Sequence, residues 1–268
     1  MRVSADRIAV FRARPGLGDM LLAIPALRAL RGTAPRAHIT LIALESSRWL
    51  VERFGTYVNT LLPFPGFPGL GETEVDVRET TRFLAEAQEE HFDLVIQLHN
   101  GGVSANAFAE LLGAKRTAGI VEEHLDRFDE DFYVAVRPDE PEEEALLRVV
   151  IHLGARPTRG TELEFPIEDE GPDELADHEL EPRRYACVQR VDGVAETLSE
   201  RGLRVVDLDE YSCELSLDAT AALVRDAAVT ICEDGWVSQL ATAVGGRCLR
   251  PDVDELDAVL GDEPLRDE

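Results

Sequence analysis

Short apolar blocks rich in β-branched residues recur along the chain, and the segments between them carry the apolar period of a helix. Arg7 to Ala13, His38 to Leu44, Val58 to Phe64, Phe92 to Leu98 and Arg116 to Ile120 read as strands. Asp19 to Arg31, Ser46 to Phe54, Val75 to Glu90 and Ser104 to Leu112 read as the helices between them. Alternation this strict leaves few folds open. Each helix returns the chain across a sheet, so the strands run parallel and helices cover both faces. After Pro141 one more helix runs to Leu153, with Gly154 as its stop. A second α/β series follows, with strands at Tyr185 to Gln189, Leu203 to Leu208, Ala228 to Cys232 and Arg247 to Arg250. Its helices are Gly193 to Glu200, Ser216 to Asp226 and Ser238 to Val244. Residues 156–184, rich in Pro, Gly and acid, read as a linker between two doubly wound units.

Composition narrows the function. The chain has 268 residues, ample for a core, and 53 acids against 27 bases give a net charge of −26, which argues against a nucleic-acid binder. Lys115 is the single lysine among those bases. Acid excess with arginine as nearly the sole cation reads as a soluble protein adapted to high salt. The charge is uneven: residues 1–60 hold nine arginines against four acids. This basic island is either ordinary scatter on solvated helices or a surface for an anionic substrate or membrane. The longest apolar run, Met20 to Leu30, contains Pro25 and Arg28 and falls short of the roughly 18 apolar residues a membrane span needs. With no signal-like segment, a cytoplasmic location is expected. Cys187, Cys213, Cys232 and Cys248 lack metal spacing and read as buried thiols.

The stretch with chemical content is Arg12-Ala-Arg-Pro-Gly-Leu-Gly-Asp19. Gly16 and Gly18 allow a tight turn between strand and helix, where unpaired N–H groups collect. Asp19 opens the helix. A carboxylate there is either a favourable N-terminal residue or, at the carboxyl edge of the first strand, a general base. His99-Asn100-Gly101-Gly102 follows another strand at the same edge, as a plain turn or as a ligand contact. The acids Asp126, Asp129, Glu130 and Asp131 lack the spacing of a calcium loop and read as a solvated face. The glycines do not form the dinucleotide fingerprint, which argues against an NAD-type oxidoreductase.

Residues 12–30 resemble the opening of glycosyltransferase family 9, the heptosyltransferase-like enzymes. The resemblance continues through Phe64-Pro-Gly-Phe-Pro-Gly-Leu70, Phe92-Asp-Leu-Val-Ile-Gln-Leu-His99 and Gly113-Ala-Lys-Arg-Thr-Ala-Gly119, and covers most of residues 7–170. It implies a GT-B fold, two facing Rossmann-like domains with parallel sheets, at residues 1–170 (acceptor side) and 181–268 (donor side, shortened). It also implies inverting transfer of a sugar from a nucleotide-diphospho-sugar to a glycan or lipid-linked acceptor, without a metal or other cofactor. On this resemblance Asp19 is the base, and Arg12, Arg14, Gly16, Gly18, His99 and Asn100 lie on the acceptor side.

Leu217 to Asp234 and Val237 to Gly245 are similar to the family's donor-binding segment. Asp234 is kept, but Gly235, Trp236 and Gln239 stand where the family has a hydroxyl residue, a glycine and a histidine. The basic loop that normally follows the strand ending at Arg190 is absent, which leaves Arg190 and Ser238 as further donor contacts. A diphosphate needs cationic or N–H partners, so these departures support a rival reading, a non-catalytic relative that binds a sugar nucleotide or glycan.

With a net charge of −26, self-repulsion opposes the compact state until counterions screen it; the Debye length falls from about 10 Å at 0.1 M salt to about 3 Å at 1 M. The melting temperature is expected to rise steeply with potassium chloride up to molar concentration. A flat profile would overturn the inference about salt.

Overall fold

The computed structural model describes residues 5–99, 101–122, 129, 131–168, 174–175, 178–191, 193–212, 214–233 and 235–249. The chain divides into two units, Met1–Glu162 and Leu163–Glu268. In the first, six strands form one parallel sheet: β1 (Arg7–Phe11), β2 (His38–Ala43), β3 (Thr60–Pro63), β4 (Leu94–Gln97), β5 (Thr117–Val121) and β6 (Tyr133–Ala135). Their order is β3-β2-β1-β4-β5-β6. Ile8 to Phe11 and Leu94 to Gln97 are buried throughout, as central strands covered on both faces must be. The order reverses between β1 and β4, and the carboxyl ends of strands at such a reversal are where open α/β sheets take their ligands.

The helix expected over Asp19 to Arg31 is two helices, α1 (Leu17–Leu21) and α2 (Ile24–Thr33). Pro25 has no N–H to donate, so it fits only the first turn of a helix, and the chain restarts there. The remaining helices of this unit are α3 (Arg48–Arg53), α4 (Val77–Glu89), α5 (Val103–Leu111) and α6 (Glu142–His152). Asp76 caps α4 by accepting from the N–H groups of Arg78 and Glu79. The sequence reading missed β6, which has three residues, two of them buried, and lies beside an acidic stretch.

Aromatic rings fill the space between α4, α5 and the sheet. Phe108 meets Phe11 at 4.6 Å, Phe64 at 5.1 Å in an edge-to-face contact, and Phe67 at 5.2 Å. Phe67 belongs to the loop after β3, where Gly66 and Gly69 have φ of +93° and +85°. Such a backbone suits glycine, and this loop carries Glu72.

The second unit contains β7 (Tyr185–Gln189), α7 (Val194–Glu200), β8 (Arg204–Asp207), α8 (Leu208–Tyr211), α9 (Leu217–Asp226), β9 (Val229–Cys232), α10 (Trp236–Val244) and β10 (Cys248–Leu249). Its sheet is parallel, in the order β10-β9-β7-β8, and reverses between β7 and β9. Ser216 caps α9 by accepting from Ala219 N–H. Part of the stretch that reads as linker is packed against this unit. Phe165 is buried and donates to Ala243 O, Glu168 N–H donates to Asp218, Glu174 accepts from Ser216 N–H, and Leu175 and Leu180 pack on the core. The few apolar residues in that stretch outweigh its composition.

Cys187 and Cys232 are buried and Cys248 is half-buried, with the Cys232 and Cys248 sulfurs 3.4 Å apart; burial pushes the Cys187 thiol up to about 12. Among the described residues no helix is long and apolar enough to cross a membrane. Much of the N-terminal arginine charge meets partners within the first unit. Arg7 pairs with Glu90, Arg48 with Glu45, and Arg31 donates to Ala37 O and Asn59.

Candidate functional site

β1 delivers Arg12, Ala13 and Arg14 to the carboxyl edge of the sheet, and α1 starts within the next few residues. The Arg12 side chain is 0% exposed. Its Nη1 donates to Leu98 O at 2.7 Å, its Nε to Asp19 O at 3.0 Å, and its Nη2 to Asp19 O at 2.5 Å and Glu142 Oε1 at 3.0 Å. Burial pulls its pKa below the ordinary arginine value, and Glu142 pulls it back. A buried guanidinium is tolerated only with acceptors around it, and these bonds tie α1, the end of β4 and α6 to β1.

Arg12 thus holds the main chain of Asp19 and leaves the carboxylate to the surface, 32% exposed. Gly16 precedes α1, and a Cβ there would stand 2.7 Å from Asp19 Oδ2, so the glycine makes room for this carboxylate. The Gly16 and Gly18 carbonyls accept from Met20 and Leu22 and build the short helix. Arg14 lies beside Asp19, Nη2 to Oδ1 3.7 Å. Its Nη1 is 3.9 Å from Glu72 Oε1.

His99, just past β4, completes the cluster. Its side chain is fully buried, stacked on Phe11 at 5.0 Å. Nδ1 accepts from Ala13 N–H at 3.3 Å, which assigns the proton to Nε2. Nε2 lies 2.9 Å from Glu72 Oε1, close enough for a hydrogen bond though poorly aimed for one. Burial lowers the His99 pKa against the opposing pull of Glu72, so the imidazole is neutral at physiological pH. His99 N–H donates to Gln97 Oε1 at 2.7 Å, and Gln97 Nε2 donates to Asn106 Oδ1 at 2.9 Å. Arg14 Nε and Glu72 Oε2 are buried without a hydrogen-bond partner.

Of the residues expected on the acceptor side, Arg12, Arg14, Gly16, Gly18 and His99 come together with Asp19. Arg12 joins them as a buried tie with no exposed side chain. Asn100 lies outside the described residues, as do Asp234, Asp126, Glu130 and Cys213. The sequence reading missed Glu72 and Glu142. The Pro/Gly-rich loop was the one local sign of Glu72, and nothing local marks Glu142.

In the second unit, Arg190 and Gly235 follow β7 and β9, adjacent strands whose carboxyl ends share one edge. The helix expected to begin at Ser238 begins at Trp236, with Gly235 as its extended N-cap. Ser238 is therefore buried in the first turn, its Oγ donating to Gly235 O at 2.8 Å, because a hydroxyl at that position folds back onto the cap. Gln239 N–H also donates to Gly235 O, at 3.3 Å. Trp236 is half-buried against the core around Tyr185 and Leu208. Arg190 is 72% exposed and points its Nε toward Asp209 Oδ2 at 3.7 Å.

The sequence matches no protein-family model and no curated protein sequence. In fold the chain is similar to the glycosyl transferase family 9 structure from Veillonella parvula, with TM-score 0.68 and 19% identity over 92% of this chain and 80% of that one. E. coli ADP-heptose LPS heptosyltransferase II gives 0.65 and 16% over 90% and 83%. E. coli heptosyltransferase WaaC, solved with ADP, gives 0.62 and 14% over 90% and 86%. The fold is accordingly GT-B-like, with a parallel Rossmann-like sheet in each unit.

Because the folded pKa of His99 lies below its ordinary 6.5, the unfolded chain takes up this proton first as pH falls. The residue therefore withdraws stability from about pH 6.5 downward, until the folded-state imidazole also titrates. His99→Gln is expected to lose less unfolding free energy between about pH 7.5 and about pH 5.5 than the wild type, measured by denaturant titration. Equal losses in the two proteins would contradict the burial argument.

Proposed function

We propose that this chain is an inverting glycosyltransferase, moving a sugar from a nucleotide-diphospho-sugar to a hydroxyl of a glycan or lipid-linked acceptor in the cytoplasm. The placement of the Asp19 carboxylate carries the reading: one-third exposed at the carboxyl edge of β1, given room by Gly16 and flanked by Arg14. In this reading Asp19 takes the hydroxyl proton while the acceptor oxygen attacks the anomeric carbon from the face opposite the diphosphate. The bond from that carbon to the phosphate oxygen breaks, the electron pair leaves with the nucleoside diphosphate, and the configuration inverts. The donor contacts belong to the second unit: the first-turn N–H groups of α10, with Asp234, Gly235, Ser238, Gln239 and Arg190. A helix N-terminus favours the negative charge that grows on the leaving group. The fold likeness to heptosyltransferase structures supports the same reading.

A thermal-shift screen of nucleotide-sugars identifies the donor, because a ligand of the native state raises stability by mass action. With that donor, Asp19→Asn is expected to keep folding and nucleotide binding and to lose at least about 100-fold in turnover. Undiminished turnover would remove Asp19 from the mechanism.

The packing of Trp236 favours a second reading, a donor-blocked relative that binds without catalysis. Its indole lies half-buried on the unit's core at a position where the resemblance puts a glycine. If the indole stacks on the donor, a nucleoside diphosphate quenches its fluorescence in a Trp49→Phe background, and Trp236→Gly weakens binding. If it fills the pocket, the wild type neither quenches nor binds, and calorimetry finds affinity gained in Trp236→Gly. The second outcome would replace the enzyme reading.

A further inference from the structure

Two sulfurs meet inside the second unit. Cys232 ends β9 and Cys248 opens β10, and their Sγ atoms stand 3.4 Å apart, near enough for either thiol to donate to the other. This is contact distance for two thiols and within about 1.4 Å of a disulfide. The register explains the meeting. Cys248 lies opposite Thr230, and Cys232, two residues beyond Thr230, presents its side chain on the same face of the sheet. Both sulfurs accordingly pack in one apolar cluster with Tyr185, Cys187 and Leu223.

We propose that Cys232 and Cys248 are a reversible redox pair, closed to a disulfide by a low-molecular-weight disulfide such as oxidised glutathione, and that the bond ties β9 to β10 around α10. The two cysteines are 16 positions apart, and the whole of α10 lies between them. The pair closes whether or not the chain transfers a sugar.

The surroundings divide the work between the two thiols. Cys248 is half-buried and open to a small oxidant, whereas Cys232 is 0% exposed and reached only through Cys248. The Cys248 thiolate attacks one sulfur of the small disulfide, whose S–S bond breaks, and one glutathione leaves with the electron pair and takes up a proton. Cys232 then gives up its proton and attacks the Cys248 sulfur, and the second glutathione leaves in the same way. The two cysteines are oxidised, and the small disulfide is reduced to two thiols. β10 has two residues and stands at the edge of the sheet, so few ladder bonds resist the approach of Cys248. Its starting position is well set: Gly245, with φ of +74°, turns the chain out of α10, and at Gly246 a Cβ would stand 2.8 Å from Val224 O, so the turn lies close against α9. Cys187 stays outside the exchange. It is 0% exposed, its Sγ donates to Leu223 O at 3.9 Å, and its burial keeps it protonated. Among the described residues no group of three or more metal-ligating side chains includes the pair, and two thiols alone do not make a zinc site.

The folded full chain is treated with oxidised glutathione, quenched in acid, alkylated, digested and mapped by mass spectrometry. The peptides carrying Cys232 and Cys248 are expected joined to each other, and dithiothreitol is expected to restore both thiols. In Cys232→Ala the reaction is expected to stop with glutathione on Cys248, and in Cys248→Ala the remaining Cys232 is expected to stay unmodified. Should a variant fail to fold, the wild-type map decides alone. A bond from either cysteine to Cys187 or Cys213, glutathione retained on wild-type Cys248, or no reaction in the folded chain overturns the proposal. Hydrogen exchange then compares the two forms. A cross-link that encloses α10 limits its opening, so amides of residues 233–247 are expected to exchange about tenfold or more slowly in the oxidised chain. Equal exchange in both forms would overturn the restraint on α10.

Discussion

One buried guanidinium organises the first unit. Arg12 leaves water entirely, which would be prohibitive for a lone charge, and is tolerated because Leu98 O, Asp19 O and Glu142 accept from it while its own N–H reaches Ile42 O. The ends of two central strands, the first helix and the last helix of the unit are thereby set against one another. The position of Asp19 follows from this. Its carbonyl is gripped from inside, and its carboxylate is left at the edge where Arg14, Glu72 and His99 meet.

The same economy of charge changes the meaning of the arginine-rich N-terminus. Counted along the sequence, the first sixty residues form a basic island. In three dimensions Arg7, Arg12 and Arg14 meet Glu90, Glu142 and Glu72, acids drawn from later in the chain, and Arg31 spends its donors on carbonyls and Asn59. A local charge count measures excess, and folding redistributes it.

Periodic features were the most legible in the sequence. Strand-helix alternation foretold a parallel sheet, and the glycines around Asp19 marked the first turn, because both depend on local backbone preference. What escaped depends on contacts between distant residues or on small local terms. Pro25 splits a helix whose apolar period runs straight through it. β6 is too short to show an alternation. Phe165 and Leu180 bind a Pro- and acid-rich stretch to the second unit with only a few apolar side chains. The apolar period places a helix start at Ser238, whereas the helix opens at Trp236 and the Ser238 hydroxyl closes back on Gly235. Glu72 and Glu142 are acids among 53, and only the folded chain distinguishes them.

The separation of 130 residues between Arg12 and Glu142 bears on the order of assembly during synthesis. A nascent chain emerging from the ribosome presents Arg12 long before its carboxylate exists, and until then burying the guanidinium is unfavourable. The pair between Arg12 and Glu142 therefore forms only after α6 has cleared the exit tunnel. By that stage nearly all of the first unit has been made, so the last acceptor of Arg12 arrives with the unit's last helix.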